Sequence, residues 1–253
     1  MSVYLSGPRP RVIAHRGFAR NDEGQDIDEN TFEAFAAAIT AGADLLESDI
    51  QVTADGVAVL LHDDDLNRVA GIPSRISELT LKQVQDLRLT HGGRVSTLLE
   101  VLNHFPTARF NLDFKSPESV GPGADAILKA GAQDRILVAS FSERNRKAAL
   151  ALLPGAVSSA GVTKVLALYA SNLLCLTGLT KRLARDIVAL QIPTHAGLLR
   201  FDTTRFISGM HRAGLEIHFW TVNNADQMAQ LTSLGADGLV TDNTPLARSV
   251  LDN

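Results

Sequence analysis

Short apolar runs alternate with longer amphipathic stretches along nearly the whole chain. The first run, Val12–Ala14, is followed by a polar loop and then by apolar side chains at helical spacing over residues 32–39. Asn30 or Thr31 can cap the start of this helix, and Gly42 ends it just before the next apolar run. A strand, a helix and a strand joined by a short return loop predict a parallel β-α-β unit.

The same alternation continues to the C-terminal end of the chain. Apolar runs predict nine strands, near residues 12, 45, 57, 109, 136, 156, 187, 216 and 238. Between them the pattern predicts helices over 97–105, 125–130, 143–152, 162–185, 205–213, 225–234 and 245–251. Asp55-Gly56 is a turn signal, so strands 45–53 and 57–62 are expected to form a hairpin or one bent strand.

Strands and helices alternating over 253 residues predict one α/β domain, a TIM-type (β/α)8 barrel spanning residues 1–253. The polar segment at about 64–95 is too long for a routine connection, so we expect a small insertion after the second strand region. An open doubly wound sheet is the alternative, although no Gly-rich phosphate fingerprint follows the first strand.

The stretch 45–53 carries two kinds of side chain on its two faces. Because side chains alternate along a strand, Glu47, Asp49 and Gln51 share one face and apolar residues occupy the other. Two adjacent carboxylates repel unless a cation lies between them or one is protonated. The pair therefore predicts either a hard metal site or a solvated strand face.

Polar residues at the carboxyl ends of the other strands decide between these interpretations. In a barrel all of these ends open onto one face, where active sites lie. The residues expected there are His15, Arg16, Glu47, Asp49, His62, Asp113, Lys115, Ser140, Gln191, His218, Trp220 and Asp242. So many inward-facing polar groups are costly unless they pair or bind a ligand, and a functional site is favoured.

The residue types predict phosphate ester chemistry. Glu47, Asp49 and Asp113 supply oxygen ligands for one divalent cation, Mg²⁺ or Ca²⁺. Arg16 and Lys115 supply fixed positive charge for a phosphate group.

Two histidines complete the predicted machinery. His15 and His62 can move protons near neutral pH, one as the base and one as the acid of phosphodiester cleavage. Trp220 and His218 are candidates for a substrate wall, and plain core is the alternative for Trp220. Glu29 is either an additional site residue or a carboxylate that favours a helix start.

Composition narrows the possible partners. The net charge of −4 and the pI of about 6.0 leave no broad basic field, which argues against nucleic-acid binding. The single cysteine, Cys175, excludes an intramolecular disulfide framework, and no secretory signal is visible, so a cytoplasmic location is expected. The apolar run 165–176 is too short to span a bilayer and predicts a buried helix, with weak lipid-surface contact as the alternative.

Together these motifs resemble the glycerophosphodiester phosphodiesterase family across residues 12–246. The matching elements are His15-Arg16-Gly17, Glu29-Asn30-Thr31, Glu47-x-Asp49, Thr53-x-Asp55-Gly56, His62-Asp63, Asn111-x-Asp113-x-Lys115, Ser140-Phe141, Trp220-Thr221-Val222-Asn223 and Gly238-x-x-Thr241-Asp242.

The resemblance implies a TIM-like barrel, a divalent cation and hydrolysis of glycerophosphodiesters to sn-glycerol 3-phosphate and an alcohol. It implies that His15 and His62 are the acid/base pair and that Arg16 contacts phosphate. The family usually has Glu at the third metal position, where this chain has Asp113, so weaker metal affinity is expected.

Other interpretations stay open. The apolar 165–176 run favours lysophospholipase D or phospholipase activity on the same barrel, and a barrel that binds phosphodiesters without catalysis is a further alternative. An acidic loop at 18–28, with Asp22, Glu23, Asp26 and Asp28, could narrow the substrate mouth or repel part of the substrate. Asp242 is expected to cap the last helix, and Asp63 to be solvated or to orient His62.

Overall fold

The computed structural model describes residues 3–20 and 24–252, so the expected effect of Asp22 and Glu23 lies outside the described residues. The strands are β1 Arg11–Ala14, β2 Leu45–Val52, β3 Ala58–Leu60, β4 Asp65–Leu66, β5 Ile72–Arg75, β6 Phe110–Phe114, β7 Ile136–Ala139, β8 Val157–Ser158, β9 Ala189–Ile192, β10 His195–Ala196, β11 Leu199–Arg200, β12 Glu216–Phe219 and β13 Gly238–Thr241. The helices are α1 Phe32–Thr40, α2 Asn67–Ala70, α3 Leu81–Asp86, α4 Leu98–His104, α5 Pro117–Lys129, α6 Glu143–Leu152, α7 Val162–Leu173, α8 Thr177–Leu183, α9 Thr204–Arg212, α10 Ala225–Ser233 and α11 Thr244–Leu251.

Eight parallel strands form a ring, and the predicted TIM-type barrel is confirmed. The hydrogen-bonded order is β8-β7-β6-β2-β1-β13-β12-β9, and every pair in it is parallel. A parallel bridge between Ser159 and Ala189 joins the two ends, supported by a 2.9 Å hydrogen bond from the Val188 amide to the Ser158 carbonyl. The alternative of an open doubly wound sheet is therefore wrong.

The predicted strand near residue 57 is β3, which is not one of the eight strands of the ring. It pairs antiparallel with β2, as the Asp55-Gly56 turn predicted. After β3 the chain forms a small antiparallel pair, β4 and β5, and the short helices α2 and α3 before it returns to the barrel at α4. These elements share a separate apolar cluster that includes Leu66, Val84 and Val95. The cluster packs this segment against Val59 of β3, and the segment contributes Arg68 to the site described below.

Two helix predictions needed correction. Helix α5 begins at Pro117, where 125 was predicted, because the Gly and Pro residues of its first turns hid the periodicity. Ser116 caps it, and a Cβ at Gly123 would lie 2.7 Å from the Phe114 ring, so glycine permits the close approach to β6. The predicted helical region 162–185 is two helices, separated at Cys175 by a positive φ of 56°.

The faces of the barrel are covered by apolar contacts that hold the strand ends in place. One cluster joins β2, β6 and β7 to α1, α4 and α5, and another joins β9 and β12 to α7, α9 and α10. None of the helices in the described ranges is long and apolar enough to cross a membrane.

Candidate active site

The carboxyl ends of the barrel strands open into a cavity of about 430 Å³. Residues expected at this mouth line it, including both histidines, the three carboxylates, Arg16 and Lys115. Strand register explains the proximity of two of the acids, because Asp49 of β2 lies directly beside Asp113 of β6, and Glu47 lies beside Asn111. The structure thus brings together expected site residues that lie as far apart in the sequence as His15 and Trp220.

The three carboxylates are buried, and their charges oppose one another. Burial, together with the nearby charge of Asp49, holds the pKa of Glu47 well above its usual range. Burial also raises the pKa of Asp113, and Asp49 contributes in the same direction. The Arg16 amide donates a 3.0 Å hydrogen bond to Glu47 and offsets part of this cost.

Two cationic side chains compensate the acids directly. Lys115 Nζ lies 2.9 Å from Asp49 Oδ1 and 3.3 Å from Asp113 Oδ2, and Arg16 Nε lies 3.6 Å from Asp49 Oδ2. Burial works to lower the pKa of Lys115, but the charges of Asp49 and Asp113 outweigh it and raise that pKa. The predicted phosphate-binding cations therefore also balance the predicted metal ligands.

Several buried oxygens in this cluster accept no hydrogen bond. They are Asp49 Oδ2, Asp113 Oδ1 and the side-chain oxygen of Asn111. Unsatisfied carboxylate and amide oxygens form the donor set that Mg²⁺ and Ca²⁺ prefer, so these residues fit a hard cation. As the side chains stand, no three His, Cys, Asp or Glu residues in the described part of the chain are close enough together to hold a metal ion.

His15 is oriented by a carboxylate from the last barrel strand end. Its Nδ1 lies 2.6 Å from Asp242 Oδ1, while Nε2 points toward the acids and lies 4.0 Å from Glu47. Asn223 donates a 2.6 Å hydrogen bond to the second oxygen of Asp242. Burial raises the pKa of Asp242, but hydrogen bonds from His15 and Asn223 outweigh it and lower that pKa. The expectation that Asp242 caps the last helix is wrong, because Asn243 is the N-cap of α11.

His62 is held in the same way, and its partner belongs to a longer network. Its Nδ1 lies 2.7 Å from Asp63 Oδ1, and Arg68 Nε donates to Asp63 Oδ2 over 2.6 Å. Arg68 also donates two hydrogen bonds to Glu29, at 3.0 and 2.7 Å, and Glu29 accepts a third from Arg16 at 3.0 Å. The expectation that Asp63 orients His62 agrees with this geometry.

Glu29 connects the two ends of this network. Burial raises its pKa, but hydrogen bonds and charge from Arg68 and Arg16 outweigh it and lower that pKa. Glu29 is also two residues before Thr31, which is the N-cap of α1. Its side chain is therefore occupied by the two arginines, and it is not part of the cavity lining.

The two candidates for a substrate wall lie in different places. Trp220 lines the cavity, with its ring 6.0 Å from that of Phe141 in a T-shaped contact. His218 is 0% exposed, does not line the cavity, and lies 3.2 Å from Glu216 through Nε2. The placement of His218 in the substrate wall is wrong. His218 precedes Trp220 by two residues, so its side chain lies one layer deeper in the barrel than the cavity.

Three features of the site were not predicted as such. Arg68 lies in the inserted segment, where the sequence carries no signal of a contact with β3 or with the loop after β1. Asn223 and Asp242 stand in motifs that were recognised, but the contact of Asp242 with His15, and of Asn223 with Asp242, depends on the pairing of β12, β13 and β1.

The fold and the site define a class of protein. A TIM barrel whose mouth joins two carboxylate-held imidazoles, buried acids and two cations is organised as a barrel hydrolase of phosphate esters.

Comparison with known proteins identifies the family. The glycerophosphoryl diester phosphodiesterase family matches residues 15–246. The "Probable glycerophosphodiester phosphodiesterase 2" of Mycobacterium tuberculosis is 35% identical over 241 residues, covering 95% of this chain and 90% of that protein. A glycerophosphodiester phosphodiesterase of Caldanaerobacter subterraneus is 26% identical, with 91% of this chain and 93% of that protein covered. The chain belongs to this family, and it is a phosphoric diester hydrolase.

Solved structures agree on the fold. An Oleispira antarctica phosphodiesterase in complex with the product sn-glycerol-3-phosphate superposes with a TM-score of 0.78 at 23% identity, covering 97% of this chain and 98% of that one. A glycerophosphodiester phosphodiesterase of Agrobacterium tumefaciens gives a TM-score of 0.75 at 20% identity, covering 96% and 99%.

Proposed function

We propose that this enzyme hydrolyses glycerophosphodiesters to sn-glycerol 3-phosphate and an alcohol, using His15 and His62 as its acid/base pair and one divalent cation. The observation that carries the proposal is the matched support of the two imidazoles. Each ring has Nδ1 held by an aspartate, at 2.6 Å for His15 and 2.7 Å for His62, while its other nitrogen is left for the substrate. This arrangement fixes the tautomer and stabilises the protonated ring, as general acid/base catalysis requires.

Charge binding and proton transfer divide between different residues. Arg16 and Lys115 would bind the non-bridging phosphate oxygens, and their position in the cavity lining with the histidines supports this role. One imidazole removes a proton from the attacking oxygen, which is that of water in the net reaction, as this oxygen bonds to phosphorus. The other imidazole gives a proton to the departing alkoxide oxygen as its bond to phosphorus breaks. Trp220 covers the uncharged side of the same cavity.

Glu47, Asp49 and Asp113 would hold the divalent cation, Mg²⁺ or Ca²⁺, with the unsatisfied Asn111 oxygen as an additional donor. Bound there, the cation would supply positive charge to the phosphoryl oxygens. Asp113 is one methylene shorter than a glutamate and reaches less far toward a shared cation, which supports the expectation of weaker metal affinity.

We infer a cytoplasmic location for the protein, because an exposed, unpaired thiol is typical of reducing compartments. The one cysteine of the chain, Cys175, is exposed and forms no disulfide.

The alternative of a barrel that only binds phosphodiesters requires the two aspartate-held imidazoles to serve no reaction, and we therefore give hydrolysis preference.

The experiment is a panel of glycerophosphodiesters assayed after exhaustive chelation and again after adding Mg²⁺ or Ca²⁺, with sn-glycerol 3-phosphate as the readout. We expect no product after chelation and recovery with at least one cation. The His15→Ala and His62→Ala variants should lose turnover and still bind the substrate. Full activity after chelation would exclude the metal role, and full activity of His15→Ala would exclude the acid/base role.

A further inference from the structure

The two halves of the barrel contribute different chemistry to the cavity. Every charged or ionisable lining residue comes from the first half of the chain, between His15 and Lys115. The lining residues from Ala139 to Val240 include no Asp, Glu, Lys, Arg or His. The ends of β7, β8, β9 and β12, and the segments that follow them, thus build an uncharged wall opposite the catalytic residues.

This wall is largely apolar, and it continues to the surface. Phe141, Val162 and Leu166 line the cavity and are 62%, 46% and 45% exposed, so they form an apolar rim. Ser140 Oγ donates to the Phe114 carbonyl at 2.8 Å and is already satisfied. Gln191 Nε2 is a donor here without a partner, and an ester or phosphate oxygen of the substrate would satisfy it.

A charged head group would lose hydration on entering and meet no opposite charge on this wall, which is unfavourable. The rings of Phe141 and Trp220 could attract a cationic head group, and the test below includes that outcome. A hydrocarbon chain would instead bury apolar surface against side chains that now contact water at the rim.

We propose that this uncharged wall is a subsite for a single hydrocarbon chain of the substrate, held next to the phosphodiester. The inference rests on the proposed function and deepens it by naming the substrate class. A chain longer than the cavity leaves it over Phe141 and Leu166, so the subsite sets no sharp upper limit on length. The chain can be carried by the glycerol, as in a lysophospholipid, or by the departing alcohol, and the test distinguishes these two sources.

The test uses two series of substrates with chains of two to ten carbons, all below their critical micelle concentrations. One series is glycerophosphoalkanols, with the chain on the alcohol, and the other is 1-acylglycerophosphocholines, with the chain on the glycerol. In one of the two series we expect kcat/KM to rise by up to about fourfold for each methylene until the wall is covered. The series that shows the rise identifies the source of the chain.

Flat profiles in both series, with hydrolysis of the two-carbon members intact, would overturn the subsite and leave the proposed function standing. Hydrolysis of no member of either series would instead overturn the proposed function itself. Preference for a charged head group over every alkyl chain would also contradict the subsite.

A matched pair of variants ties the effect to the wall. Leu166 and Leu179 are both 45% exposed and both lie on helices, but only Leu166 lines the cavity. In Leu166→Asn the ratio of long-chain to short-chain kcat/KM should fall by about tenfold, and in Leu179→Asn it should stay at the wild-type value. Phe141→Ser provides a second rim variant if Leu166→Asn does not fold. A wild-type ratio in both rim variants would refute the subsite.

Discussion

Replacing Asp63 by asparagine tests whether the network behind His62 supports catalysis. Asp63 holds His62 Nδ1 at 2.7 Å and is itself held by Arg68 at 2.6 Å, so it carries a charge-assisted hydrogen bond to the ring. Such bonds contribute about 1.5–3 kcal/mol, and the partial exposure of both groups favours the lower end. A loss of about 1.5 kcal/mol corresponds to a roughly tenfold lower kcat. The amide can also donate to Nδ1 and favour the wrong tautomer, which adds to the loss.

The assay is kcat and kcat/KM for Asp63→Asn as a function of pH. Because the protonated ring loses its anionic partner, the pH dependence of kcat should differ between Asp63→Asn and the wild type. Asp64→Asn is the matched control, since Asp64 is the next residue, is exposed and lies 3.7 Å from Arg75 outside the cavity. A wild-type kcat and pH profile in Asp63→Asn would refute the support of His62 by this network, whatever its effect on stability.

Three further predictions concern the other side of the site. His15→Asn should lower kcat by about 10²–10⁴-fold in steady-state assays, while His104→Asn, on the outer face of the barrel beside Phe32, should not. Glu47 and Asp113 have raised pKa values in the folded protein, so the folded state binds their protons more tightly than the unfolded state does. The stability that these protons give is complete below the unfolded pKa and is lost as the pH rises through the folded pKa. A divalent cation should therefore raise the Tm more at pH 8 than at pH 5, and equal shifts would contradict the metal assignment. For the same reason Glu47→Gln should raise the Tm of the chelated protein at pH 8 by about 2–4 °C for each kcal/mol of relieved repulsion, while activity is lost.

Most of the barrel was predictable because buried parallel strands leave a local signal. Most ring strands carry a short apolar run or an apolar face, and the runs near 12, 109 and 238 all became ring strands. The start of α5 was not predictable in this way, because Pro117 is favourable in the first turn of a helix and Gly123 is required by contact with Phe114. In a sequence pattern, proline and glycine otherwise predict the end of a helix.

The charged residues of the site were predictable for a different reason. Strand ends of a parallel barrel share one face, so polar residues at those ends meet there whatever their separation in sequence. This reasoning was wrong for His218, because the depth of a residue along its strand decides whether its side chain reaches the cavity. The His218 side chain lies in the barrel one layer below the cavity. Arg68 and Asp242 could not be assigned because their roles come from side-chain direction and ring closure, which periodicity does not encode.

Lys115 has two alternative kinds of partner in the site, which are the buried carboxylates and a phosphate group. In the structure described, Lys115 neutralises Asp49 and Asp113, the residues that we propose as metal ligands. Its ammonium group cannot be fully committed to those carboxylates and to a phosphate at the same time. With a divalent cation held by the acids, Lys115 would no longer be needed to neutralise them and could bind a phosphate, which is the role that we propose for this residue.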